Sequence, residues 1–161
     1  MCKTLKYLFT LFVAYAFCAC GEHHNIYYSF QPVPRKGWQP SDTLWFSVAV
    51  EDSDAVYRLF VNIRNRHDYP YQNLSLDIGR YSPDRNLLAN DTLELSLANP
   101  QGKWKGEGWG GLFQMEEYAG TLQVKKAGIY TVSICHLFPD TLLTGINDVG
   151  VRVEKEWVGT E

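Results

Sequence analysis

The chain has 161 residues, with 45% apolar and 14% aromatic side chains and a formal net charge of −3. This length and composition predict one globular domain with its own hydrophobic core. Phosphate binding requires clustered basic side chains, which this acidic sequence lacks, so nucleic acid is excluded as the expected partner.

The first part of the chain has the pattern of an export signal. Lys3 and Lys6 precede an apolar run over residues 7–17, which is too short for a membrane-spanning helix of about 20 residues. A small residue followed by Cys20 ends the segment and is similar to a bacterial lipobox. We therefore predict that residues 1–19 are a lipoprotein signal peptide and that Cys20 is lipidated, which anchors the chain in a membrane through acyl chains.

Removal of the signal peptide changes the cysteine content and the charge. Residues 20–25 become the lipidated cysteine and a short polar tether. Cys2 and Cys18 leave with the signal, Cys135 remains in the folded part, and no intrachain disulfide is predicted. The mature chain retains 13 basic and 18 acidic side chains, which gives a formal charge of −5.

Alternation of apolar and polar residues with a period of two marks the rest of the chain and predicts β-strands. The clearest strand begins at Val56 and ends before Pro70, which cannot donate a ladder hydrogen bond. Its predicted apolar face consists of Tyr57, Leu59, Val61 and Ile63. The other predicted strands are residues 26–30, 43–51, 74–81, 92–97, 120–125, 129–136 and 148–156.

Local patterns predict how these strands are connected. The Asp-Ser-Asp turn at residues 52–54 predicts an antiparallel hairpin between residues 43–51 and the strand at Val56. Residues 112–119 are predicted to form one or two helical turns. With about eight strands and no long 3.6-residue period, residues 26–161 are predicted to form a single all-β domain, an antiparallel β-sandwich of the jelly-roll kind.

A glycine-rich segment at residues 99–111 contains five glycines and two tryptophans and has no period of two. It lacks the Lys-Ser/Thr pair of a phosphate-binding loop. Two interpretations stand: the glycines shape a bulge while the tryptophans cap one end of the sandwich, or the aromatic faces stack on a sugar or an extended peptide. The candidate partner or ligand surface consists of Trp38, Tyr69, Tyr71, Trp104 and Trp109.

No arrangement of residues predicts catalysis or a cofactor. Glu107, Glu116 and Glu117 are the candidate carboxylates for glycoside hydrolysis, but the sequence does not fix the separation that such a pair needs. Cys135 and His136 do not form a dyad, because neighbours on a strand point to opposite faces.

No metal site is predicted either. His23 and His24 stand in the tether without partners at ligand spacing. Asp52 and Asp54 lack the glycine and the distal Glu of an EF-hand loop.

Two arginines on predicted strands need acidic partners. Arg64 and Arg152 have apolar neighbours, and a half-buried guanidinium is stable only beside a carboxylate. We expect that carboxylate to come from Asp77, Asp148 or Glu154.

Taken as a set, many short motifs resemble the gliding-motility lipoprotein H (GldH) family of Bacteroidota. The motifs are Trp38 with Asp42, Leu44 and Phe46; Tyr57 through Arg64-Asn65; Tyr69-Pro70-Tyr71-Gln72-Asn73-Leu74; Gly102-Lys103-Trp104 with Gly106 and Gly108; Gly128-Ile129-Tyr130; and Leu143 through Arg152. At Leu137-Phe138 the chain departs from the Met-Arg pair expected of the family, so a partner contact made by that pair is not carried over.

The resemblance implies a lipid-anchored, non-enzymatic component of the gliding machinery, working alongside cell-surface adhesins and a secretion apparatus. The outer membrane is the expected location. Residues 21–24 lack the acidic cluster associated with surface export in this phylum, which favours the periplasmic face.

Two hypotheses about function follow. The first is an envelope protein that binds other envelope proteins through its aromatic and glycine-rich loops. The second is a surface module that binds glycan through Trp38, Trp104 or Trp109.

Overall fold

The computed structural model describes residues 25–139 and 142–156. The predicted signal peptide, the lipidation site Cys20 and the tether up to residue 24 lie outside the described residues. Within the described ranges, no helix is long and apolar enough to cross a membrane.

The described residues form nine strands arranged in two antiparallel sheets. The strands are β1 (Asn25–Pro32), β2 (Leu44–Val50), β3 (Ala55–Arg66), β4 (Asn73–Tyr81), β5 (Leu87–Ser96), β6 (Glu107–Trp109), β7 (Leu112–Val124), β8 (Gly128–His136) and β9 (Ile146–Lys155). One sheet has the order β1-β9-β3-β7-β6 and the other β2-β8-β4-β5. The predicted all-β sandwich is confirmed.

The strand pairing is that of a jelly roll. β1 pairs with β9, β2 with β8, β3 with β7, and β4 with β5. Early strands thus pair with late ones in nested order, as in a long hairpin rolled into two sheets. The short strand β6 is added at the edge beside β7.

The predicted hairpin between residues 43–51 and the strand at Val56 is wrong. β2 lies in the four-stranded sheet and pairs with β8, whereas β3 lies in the five-stranded sheet between β7 and β9. The connection at residues 52–54 therefore crosses from one sheet to the other. Apolar alternation determines which face of a strand is buried, but it does not specify the neighbouring strand.

The predicted helical turns over residues 112–119 are also wrong. These residues and residues 120–124 form one strand, β7, which pairs with β3 along its length. The pairing shifts register opposite Arg58 and Phe60, and Gly120 there has a positive φ of 101°. The extra residue of this bulge breaks the alternation of apolar and polar residues. The sequence pattern therefore does not predict one continuous strand here.

The core lies between the two sheets, where the predicted alternation holds. The inward side chains of the central strands are fully buried: Tyr57, Leu59, Val61 and Ile63 on β3, Tyr130, Val132 and Ile134 on β8, and Val149, Val151 and Val153 on β9. The opposite face of β3 is unusual for a surface, because Phe60 and Asn62 are buried there as well.

Candidate functional site

The antiparallel strands place the connections of the jelly roll at two opposite ends. We call one the aromatic end; it consists of the connections at residues 33–43, 67–72, 97–106, 110–111 and 137–145, of which 140 and 141 are not described. The other is the tether end, where β1 begins; it consists of residues 51–54, 82–86 and 125–127. Four of the five aromatic residues of the predicted surface, Trp38, Tyr69, Tyr71 and Trp104, lie in these connections, and Trp109 adjoins them as the last residue of β6.

An aromatic cluster holds the loops of this end together. The ring centroids lie 4.5 Å apart for Tyr71 and Phe138, 5.8 Å for Tyr69 and Tyr71, and 6.3 Å for Tyr69 and Trp104. Trp104 continues the cluster to Phe113 of β7 at 5.7 Å. Tilted and edge-on ring pairs of this kind stabilise a fold by about 0.5–1.5 kcal/mol each beyond the area they bury.

The prediction that Trp38 and Tyr69 belong to a partner or ligand surface is wrong, because both side chains are buried. Trp38 is 0% exposed; its indole Nε1 donates to the Asp42 carbonyl oxygen at 2.6 Å, and its ring meets that of His136 edge-on at 5.2 Å. Tyr69 is 4% exposed, and its hydroxyl donates to a backbone oxygen of Asn73 at 2.8 Å. Both side chains are satisfied inside the protein and offer no face to a partner.

Trp109 is the opposite case, with 89% of its side chain exposed. It ends β6, and Gly110 and Gly111 turn the chain into β7 with φ of 59° and 83°. Two consecutive positive φ angles are typical of a type I′ hairpin turn and favour glycine at both positions. The glycine-rich segment thus contains a tight hairpin that presents one tryptophan to solvent.

A groove of about 820 Å³ runs from this hairpin across the outer face of the five-stranded sheet. Trp109 and the bare backbone of Gly106 and Gly108 line it on the hairpin side, and Tyr28 of β1 lines it on the other. Tyr28 is 52% exposed, and the amide of Gln114 lies 3.4 Å from its hydroxyl oxygen. The groove is therefore bounded by two exposed aromatic side chains.

Hydrogen bonds order the polar floor of the groove. The Asn62 side-chain amide donates to Glu116 Oε2 at 2.8 Å. The Arg152 guanidinium donates to both oxygens of Glu116, at 2.8 and 2.7 Å. These bonds to Glu116, together with the bond that Arg152 donates to Glu154, outweigh desolvation and raise the pKa of Arg152. Such paired bonds hold planar groups in a defined orientation.

The arginine that lines the floor of the groove is Arg64. Its Nε donates to Gln114 Oε1 at 2.9 Å, and its guanidinium lies 3.7 Å from the centre of the Phe30 ring. The predicted acidic partners are confirmed in two cases, since Arg64 lies 4.0 Å from Asp148 and Arg152 pairs with Glu154. Asp77 is not a partner of either; it accepts a hydrogen bond from Asn90 at 2.7 Å.

Tyr28, Asn62 and Gln114 were not among the residues singled out from the sequence. They lie on three different strands, and only the pairing β1-β9-β3-β7 brings them onto one face. Asn62 carried a local signal, because a polar amide in the middle of the most apolar strand needs a partner.

Arg80 lines a second cavity of about 500 Å³, between β5 and β7. It is 4% exposed, its Nη1 donates to the Ala119 carbonyl oxygen at 3.0 Å, and its Nη2 pairs with Asp91. Burial lowers the pKa of Arg80. The bond of Arg80 to Ala119 joins its sheet to β7 of the other sheet. An inward-pointing charge near a sheet edge also discourages pairing with a strand of another chain.

The residues considered for catalysis do not converge. Glu107 is exposed, Glu116 is engaged with Arg152, and Glu117 is half-buried. Cys135 is half-buried with a thiol pKa raised by burial, and its neighbour His136 is buried. No group of three or more His, Cys, Asp or Glu side chains in the described ranges could hold a metal ion.

Comparison with known proteins decides the family. A family model described as GldH lipoprotein matches residues 25–153. The chain belongs to the GldH lipoprotein family. The match runs from the first residue of β1 into β9, so both sheets, the aromatic end and the groove lie inside the GldH domain.

Two curated GldH relatives agree with this assignment. The chain is 31% identical to the gliding motility lipoprotein GldH homolog of Christiangramia forsetii, over 90% of this chain and 92% of that protein. It is 33% identical to the gliding motility lipoprotein GldH of Flavobacterium johnsoniae, over 74% of this chain and 78% of that protein.

Solved structures add only a distant likeness to this GldH chain. The C-terminal domain of EclA, described as a sugar-binding protein, has a TM-score of 0.40 and 13% identity over 81% of this chain and 78% of that domain. This likeness carries no argument about function.

Proposed function

We propose that this chain is a lipid-anchored, non-enzymatic component of the gliding-motility machinery in the cell envelope. In this proposal it acts by binding other envelope proteins through its aromatic end. The family match and the names of the two relatives support the role in gliding. The lipobox-like sequence before Cys20 supports the anchor.

The exposed Trp109 at the end remote from the tether carries the proposal of a contact surface. Residues 21–24 separate Cys20 from Asn25, so a lipid at Cys20 keeps the start of β1 within about 18 Å of the bilayer surface. Along β3, Arg58 is level with the tether end and Arg66 with the aromatic end. Eight residues of strand span about 26 Å. The aromatic end is thus the part free to meet partners away from the membrane.

The exposed apolar side chains of the aromatic end support a protein partner. Leu137 and Leu142 are exposed there together with Trp109. Aromatic and aliphatic side chains that protrude from a rigid scaffold are typical anchors of protein interfaces.

A pull-down tests the contact surface. The full lipidated chain is used as bait in detergent-solubilised envelopes, and bound proteins are identified by mass spectrometry. Trp109→Ala and Leu137→Ser are expected to lose most of the partner that the natural chain recovers. Trp45→Ala is the matched control, because Trp45 is exposed on the outer face of the other sheet. Recovery of no specific protein, or equal recovery by all variants, contradicts the proposal.

The anchor has a separate test. Mass spectrometry of the mature N-terminus is expected to show acylated Cys20, and Cys20→Ser is expected to move the protein out of the membrane fraction. An unmodified chain that begins elsewhere refutes the anchor. Fractionation is expected to place the protein in the outer membrane. Protease treatment of intact cells should leave it uncut if it occupies the periplasmic face.

A further inference from the structure

We propose that the groove on the outer face of the five-stranded sheet binds an uncharged saccharide. This binding goes beyond the protein contacts proposed above; it shares Trp109 with them and otherwise uses Tyr28, Gln114, Arg64 and Glu116.

The walls of the groove have the chemistry that a sugar ring needs. A pyranose presents C–H groups on its faces and hydroxyl groups around its rim, and the C–H face packs on the face of an aromatic ring. Trp109 and Tyr28 are exposed on opposite sides of the groove. The Gln114 amide, 3.4 Å from the Tyr28 hydroxyl, positions that ring over the sheet. An exposed aromatic face beside a polar floor is more useful to an amphipathic ligand than to a purely apolar one.

The floor offers planar groups with paired donors and acceptors. Gln114 contributes an amide, Arg64 a guanidinium and Glu116 a carboxylate, and the buried Asn62 supports Glu116 from beneath. Adjacent hydroxyl groups of a sugar match such groups, because each hydroxyl both donates and accepts. Asn62 is 1% exposed and fixed by its bond to Glu116, and Arg64 is fixed by its bond to Gln114. The floor is therefore ordered before any ligand arrives, which lowers the entropy cost of binding.

The charges around the groove favour an uncharged ligand. Its basic side chains, Arg64 and Lys105, are balanced by its acidic ones, Glu107 and Glu116. The guanidinium of Arg152 lies against the Glu116 carboxylate and reduces its field further. A phosphate, a nucleotide or a strongly charged peptide meets no net attraction here. The volume of about 820 Å³ lies within the range of small-molecule sites, about 300–1,000 Å³.

Isothermal titration calorimetry tests the proposal on the full lipidated chain. The protein is held in a detergent without a sugar headgroup, and the probes are maltotriose, cellotriose, tri-N-acetylchitotriose and, as the charged comparison, sialyllactose. At least one uncharged probe is expected to bind saturably. Trp109→Ala and Tyr28→Ala should each weaken that binding about tenfold or more, and Gln114→Ala should weaken it measurably. Trp45→Ala is the matched control and should leave the affinity unchanged.

Three results overturn the proposal: no saturable binding of any uncharged probe, equal affinity in Trp109→Ala, or preference for sialyllactose. Trp109 is exposed and Tyr28 half-exposed, so both variants are expected to fold; circular dichroism checks this, and Trp109→Ala alone keeps the test decisive if Tyr28→Ala does not fold. Calorimetry uses the purified chain, whereas the pull-down uses envelope proteins. Failure of saccharide binding therefore leaves the proposed protein contacts standing, and the reverse also holds.

Discussion

The two ends of the sandwich differ in the side chains that hold their connections together. The tether end has short polar connections closed by exposed ion pairs, Lys126 with Asp84 at 2.5 Å and Lys155 with Asp52 at 2.9 Å. Most connections of the aromatic end are longer and are held by tilted and edge-on ring pairs, with buried Trp38 beneath and exposed Trp109 at the tip. Short turns need little packing because few residues are ordered in them, and exposed ion pairs contribute only about 0–1 kcal/mol each.

The difference between the two ends follows from the lengths of their connections. Longer connections must be ordered against a larger loss of conformational entropy, and buried rings offset that loss. The exposed Trp109 buries little area in the fold, and in the function proposed above it is the side chain that contacts a partner.

The largest expected difference is in the free energy of unfolding between variants of the two tryptophans, Trp38 and Trp109. Trp38→Ala removes a fully buried side chain and its bond to Asp42, so it should lower the free energy of unfolding by about 3–5 kcal/mol. Trp109→Ala should change it by less than about 0.5 kcal/mol. Urea unfolding followed by circular dichroism measures both. A comparable loss in Trp109→Ala would mean that the exposed tryptophan is structural.

A second pair of variants tests how tightly the aromatic end is packed. Gly145 has a φ of 88°, and an alanine Cβ there would overlap the backbone of Tyr69. Gly145→Ala should therefore cost about 3 kcal/mol of stability. Gly102 has a similar φ of 78° but open space around it, so Gly102→Ala should cost only about 1 kcal/mol. Thermal and urea unfolding compare them. Equal losses of stability would show that the cost of Gly145→Ala comes from backbone strain and not from overlap with Tyr69.

The smallest effect is expected at the tether end, where a contribution to stability is present at neutral pH and is lost in acid. The hydrogen bond from Tyr57, at 2.6 Å, and the ammonium of Lys155 hold the pKa of Asp52 below its ordinary value. Because the folded pKa is the lower one, this carboxylate stabilises the fold above its unfolded pKa of about 3.9 and loses that contribution as the pH falls through the folded value. Asp52→Asn should therefore be less stable than the natural chain at pH 7, and the difference should shrink at pH 3.

The control for that experiment is Asp54→Asn in the same turn. Asp54 has a positive φ of 52°, which asparagine tolerates as well as aspartate does. Urea midpoints at pH 7 and pH 3 should differ less between Asp54→Asn and the natural chain than between Asp52→Asn and the natural chain. If both substitutions give the same pH dependence, the bond between Tyr57 and Asp52 is not its source.

Particular residues show how far sequence reasoning reaches. Val149, Val151 and Val153 alternate strictly and are buried as predicted, because a half-buried strand needs one apolar face whatever its neighbours are. The bulge at Gly120 hides β7 from the same reasoning, since one extra residue shifts the alternation to the other face. Trp38 and Trp109 look alike in sequence, yet one is buried and the other exposed. Composition alone does not separate a ring that is buried in the core from one that is exposed to solvent.

The amino-acid sequence by itself determined most of the strands, their buried faces and the resemblance to the GldH family, because each depends on local pattern or on motifs along the chain. Only the tertiary structure decided that β2 and β3 belong to different sheets, that the aromatic residues gather opposite the tether, and that Tyr28, Asn62 and Gln114 share one groove. These features arise from pairing between strands far apart in the chain. Local periodicity does not record such pairing, because any apolar face fits against many possible partners.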